Sequence, residues 1–175
     1  MNDILQKAEA YRGHALYLGY GHYKAGKLAA RKHLFLGIPV VIATAIVGTS
    51  IFATLSENPE TWLKTIAGII SLAATILAAL QTFFKFSELS EKHKLAGANY
   101  GTLRREIDLF LLRYGDKGPE LREEALTKLT AIAETIGQLA KESPDLSDEL
   151  YEEGVRYFSR QVPVVGGNES VENAS

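Results

Sequence analysis

Cysteine is absent from this chain, which removes disulfides, cysteine zinc sites and a thiol nucleophile together. The usual catalytic constellations are missing too. There is no Gly-x-Ser-x-Gly elbow, no P-loop and no His-Glu-x-x-His, and the four histidines are scattered singly. Gly19-x-Gly21, within YLGYGHYKAG, lacks the preceding strand and the spacing of a dinucleotide fingerprint. The sequence therefore predicts no enzyme, no catalytic residue, no metal and no cofactor. A strong excess of one charge is also lacking, since the net charge is -2, and this argues against nucleic acid as a partner. The most informative absence is local. Residues 34–55 (LFLGIPVVIATAIVGTSIFATL) and 65–84 (TIAGIISLAATILAALQTFF) contain no Asp, Glu, Lys or Arg.

An uncharged run of about 20 residues, at about 1.5 Å per residue, crosses a hydrocarbon core of about 30 Å. A core helix of a soluble bundle of that length would keep a polar stripe for water, and these runs offer only Thr, Ser, Gly and one Gln. The expected fold is an all-α membrane protein. It consists of a two-helix transmembrane hairpin, an N-terminal helix, and a long second helix continuing into a cytoplasmic helical bundle or coiled-coil stalk. The expected divisions are a cytoplasmic amphipathic helix over 1–33, the hairpin over 34–84 with spans 34–55 and 63–84, a cytoplasmic helical region over 85–162, and a disordered tail over 163–175.

Lysine and arginine set the orientation. Lys24, Lys27, Arg31 and Lys32 precede the first span, Lys85, Lys92 and Lys94 follow the second, and the short connection carries only Glu57 and Glu60. Both termini are therefore expected on the cytoplasmic side. Residues 1–33 are too long and too polar an approach for a cleaved signal peptide. Within them Ile4, Ala8, Tyr11, Ala15, Leu18 and His22 recur at helical spacing. Tyr11, Tyr17, Tyr20, Tyr23 and the basic cluster suit either a headgroup surface or packing on a bundle.

The spans differ in character. In the first, Gly37, Thr44 and Gly48 share a side, and Pro39 is expected in the first helical turn, where it costs little, with a kink as the alternative. In the second, Ser71, Ala74, Thr75, Ala78 and Thr82 form a small, mildly polar face, while Ile66, Ile69, Ile76, Leu80 and Phe83 form a bulky one. Such a face packs against other helices, and in an assembly of copies it can line a pore; both readings stand. Beyond Phe84 no helix breaker follows. Phe86, Leu89, His93, Ala96, Tyr100, Leu103 and Ile107 step alternately by three and four, in phase with Thr75 and Thr82. This is the seam of a coiled coil between copies or of an ordinary intramolecular bundle. After GDKGPE, a helix with Leu121, Ala125, Leu129, Ile132, Ile136 and Leu139 on one face ends at Ser143-Pro144, and a short one follows Ser147.

HLFLGIPVVIATAIVGTSIFATL together with IAGIISLAATILAALQTFFKFSELSEKHKLAGANYGTLRREID resembles the SLATT family. The resemblance rests on the Leu-Gly-Ile-Pro opening at Leu36, the Ala-Ile-Val-Gly-Thr-Ser centre at Ala45, the Leu-Gln-Thr-Phe exit at Leu80, Lys92-His93, Tyr100, and the Leu-Arg-Arg-Glu segment at Leu103. It implies a two-span effector of prokaryotic nucleotide-signalling and other conflict systems, expected to form pores in the inner membrane or disrupt it in an antiviral response, causing growth arrest or cell death. It supplies no catalytic residues to carry over. The C-terminal helices are too short for a fused nucleotide-binding sensor, so the expected partners are the lipid bilayer, further copies of the chain, and a separate cytoplasmic sensor or nucleotide-signal-producing protein. The alternative is a non-conducting anchor or scaffold for such a partner.

Overall fold

A computed structural model of the chain describes residues 1–54, 61–115 and 118–159, and every regular element among them is helical. Helix α1 runs Asn2–Thr54, α2 Thr61–Phe84 and α3 Phe86–Tyr114; a 3-10 turn at Pro119–Leu121 leads into α4, Arg122–Glu142, and α5 spans Asp148–Ser159. The end of the first span at Leu55, most of the connection after it and the tail over 163–175 lie outside the described residues. The chain divides into two compact units, Met1–Lys24 with Leu95 onward, and Ala25–Lys94.

The first unit has its own core. Ile4, Ala8 and Ala15 of α1, Tyr100, Leu103, Ile107, Phe110 and Tyr114 of α3, and Ala125, Leu129 and Ile132 of α4 form one buried cluster. Burying each large aliphatic side chain contributes about 1.5–3 kcal/mol, which outweighs the helix cost of the α1 glycines. His22 stacks on Tyr100, ring centroids 5.6 Å apart. The seam residues Tyr100, Leu103 and Ile107 are thus occupied within the chain, as in the intramolecular bundle. Helix α5 docks on α1 through rings: Tyr20 stacks on Tyr157 at 5.1 Å, and Tyr17 meets Tyr151 edge-on at 6.3 Å. Tyr17 and Tyr20 therefore serve packing, not a headgroup surface. Arg122 grips Asp3 with two hydrogen bonds of 2.9 and 2.7 Å, and holds that carboxyl well below the usual range. At the other end of α4, the Ser143 N–H donates to the Leu139 carbonyl, and the extended backbone before Pro144 stops the helix.

The second unit holds the remainder of α1, all of α2 and the start of α3. Two features depart from expectation. Pro39 lies in the interior of α1, because helix already precedes it, so it removes a backbone hydrogen bond inside the helix. The chain does pass from the second span into a long helix, but across Lys85, whose φ of 44° is left-handed. The Leu89 N–H donates to the Lys85 carbonyl at 3.0 Å, so α3 resumes at once. Phe84 and Phe86 stack at 5.2 Å, a meeting that positions two apart on an unbroken helix do not make. The regular helix is interrupted at this left-handed residue.

The apolar runs point outward. In the most apolar window of α1 none of the residues is buried, and in that of α2 only 6% are. Phe35 is 78% exposed and Phe83 79%, with Leu34, Ile38, Val41, Ile69, Leu72 and Ile76 also open. A core helix of a soluble protein would bury such side chains, whereas a membrane helix presents them to lipid.

Candidate functional site in the hairpin

Among the described residues of α2, Ala74 is the buried one, at 4% exposure. Beside it lies a groove of about 470 Å³, bounded by Val40, Thr44 and Gly48 of α1 and by Ser71, Thr75 and Ala78 of α2. Six of the residues singled out in the two spans, Thr44, Gly48, Ser71, Ala74, Thr75 and Ala78, thus meet in one place. The two threonine hydroxyls are satisfied along their own helices: Thr44 donates to the Val40 carbonyl at 2.9 Å and Thr75 to that of Ser71 at 2.9 Å. Their donor is spent in this way, and lone pairs remain on each oxygen. Thr82 donates to the Ala78 carbonyl at 3.0 Å and is exposed, but it does not border this groove.

Gly37 stands elsewhere. A methyl group built on it would lie 3.0 Å from Gln81 Nε2, and Gln81 Nε2 is 3.2 Å from His33 Nδ1. His33, Gly37 and Gln81 share a second groove, of about 380 Å³. This polar pair was missed as a site in the sequence. The signal was available, since Gln81 is the one amide in an otherwise apolar run and a polar group there needs a partner.

The remaining positions separate further. Of the seam, His93 is buried, Phe86 half-buried and Leu89 exposed. Of the basic cluster, Lys27, Arg31 and Lys32 are exposed, with the Lys32 ammonium 5.9 Å from the Phe86 ring centre. Lys24 is instead paired with Glu153, and the Tyr20 hydroxyl donates to the same carboxylate at 3.4 Å. Ser90 donates to the Gly26 carbonyl at 2.8 Å in a buried contact within the hairpin unit. Among the described residues no three His, Asp or Glu side chains converge as a metal site would require.

Residues 5–153 match the model of the SMODS and SLOG-associating 2TM effector domain family 4, which covers both spans and most of the first unit. The chain belongs to that family. No curated protein and no solved structure matches the chain. As a SLATT family 4 domain with two helices whose apolar stretches are exposed, it is a two-span membrane effector.

Proposed function

We propose that this SLATT family 4 domain is an oligomeric pore-forming effector. It depolarises the prokaryotic inner membrane in an antiviral response and is controlled through its non-membrane helices. The observation that carries this reading is the interspan groove, where Thr44, Ser71 and Thr75 stand together while Ser71 and Thr75 stay exposed. In a bilayer, small and mildly polar faces are covered by other helices, so the open side of α2 favours further copies of the chain. Several such faces around one axis would present hydroxyl oxygens to a narrow aqueous path. Lys27, Arg31 and Lys32 before the first span and Lys92 and Lys94 after the second favour a cytoplasmic position for both termini. The activator would be a separate sensor or nucleotide-signal-producing partner.

The test is ion or dye release from proteoliposomes, with a potential-sensitive dye in cells on induction. Thr75→Leu and Thr82→Leu should each reduce flux several-fold by placing bulk across the path, while native gels show assembly unchanged. Full flux in both variants removes the lining assignment. An unchanged membrane potential with an activated partner present leaves the anchor or scaffold reading.

A further inference from the structure

The first unit contains a cavity of about 340 Å³ between α1 and α3, which no step of the pore reading uses. That volume lies at the small end of ligand sites, which run from about 300 to 1,000 Å³. Its origin is a close helix approach. A methyl group on Gly97 would lie 3.2 Å from the Gly19 carbonyl oxygen and 3.0 Å from the Tyr23 ring, so glycine lets the two backbones meet. One turn further on, a methyl group on Gly101 would meet only Arg105 Nη1, at 3.9 Å. The missing side chain there is part of the space.

The lining is of two kinds. Tyr20, Tyr23 and Phe158 bring aromatic surface. Tyr20 is held by its stack on Tyr157 at 5.1 Å and by Phe158 edge-on at 5.8 Å, so that wall is set before any ligand arrives. Arg104 and Arg105 bring guanidinium groups. Arg105 gives one N–H to the Thr102 hydroxyl at 2.9 Å and is otherwise exposed. Arg104 Nε is buried and has no hydrogen-bond partner; the Asp108 carboxylate lies 3.4 Å away and makes only an ion pair. Asp108 is at the same time bonded by Arg12 Nε. The local carboxylate is therefore shared between two arginines, and a buried guanidinium N–H is left over, which is costly unless something accepts from it.

We propose that this cavity binds a small phosphate-bearing ligand with a planar ring, the chemical class of a nucleoside monophosphate. The guanidinium forks suit the phosphate, in both charge and bidentate geometry. The tyrosine and phenylalanine faces suit the ring, because stacking on aromatic side chains holds a base without reading its edges. Binding at this site stands independently of whether the hairpin conducts.

Calorimetric titration of the full-length protein in detergent with AMP, GMP, CMP and UMP, and separately with inorganic phosphate, tests this. At least one mononucleotide should bind saturably, one per chain, and about tenfold or more tighter than phosphate. Arg105→Gln removes an exposed charge, and Gly101→Leu fills the space with a better helix former, so both variants keep the fold. Each should weaken binding about tenfold or more, with helicity and melting temperature retained. The proposal is overturned if no mononucleotide binds at millimolar concentration, if phosphate alone binds as tightly, or if both variants bind as the parent does.

Discussion

His14 and His93 are both packed where burial works against their charged forms, and burial lowers the pKa of each from its ordinary 6.5. His14 Nδ1 lies 3.3 Å from the Tyr151 hydroxyl on α5, with the two rings edge to face. The unfolded chain takes up these protons first as the pH falls. Stability is therefore complete above 6.5 and declines below it. Melting in detergent between pH 7.5 and pH 5 should show a falling midpoint, and His14→Gln with His93→Gln should remove most of that fall. The carboxylates act in a separate window. Arg122, Lys92 and Lys24 hold Asp3, Glu88 and Glu153 low, so those pairs lose their contribution only in more acid solution. At this scale the sequence was least informative. Four scattered histidines carry no mark of which will be covered, because burial is decided by elements far away in the chain, such as α5 for His14.

Elements were legible where the pattern was local. The uncharged runs, the apolar stripe of α4 and its stop at Ser143-Pro144 all follow from periodicity and proline chemistry. Lys85 was not legible, because lysine is an ordinary helix former and neither glycine nor proline marks the break. Left-handed backbone at a residue with a Cβ costs about 1–2 kcal/mol. Lys85→Gly should therefore raise the melting midpoint in detergent, and Lys85→Val, with its branched Cβ, should lower it. Equal midpoints for the two variants would mean that the left-handed turn is not retained in solution. Pro39 was misplaced for a related reason: the sequence marks where apolarity begins at Leu34, but helix begins at Asn2.

At the scale of the whole molecule, two units are built for two solvents. Ile107, fully buried in the first unit, should cost about 2–5 kcal/mol when replaced by alanine, read as a loss of denaturant resistance. Ile69 in the hairpin is 63% exposed, on the bulky face of α2 that suits lipid. Ile69→Ala should cost little, whereas Ile69→Lys should impair insertion, by about 2.5–3.5 kcal/mol if the residue lies near mid-membrane, read as protein lost from the membrane fraction. The hairpin could be read from the sequence because lipid leaves a compositional mark. The partner of the α3 seam could not, because an apolar seam looks the same whether another copy or the chain's own Ile4 and Ala125 will cover it. The first unit is also split in sequence, with the hairpin between its two parts. During synthesis Ile4, Ala8 and Ala15 leave the ribosome long before Tyr100, Leu103 and Ile107 exist, so the hairpin is made, and can enter the bilayer, while the opening segment still waits for its core. The order of translation thus makes the hairpin available to the bilayer before the bundle is able to close.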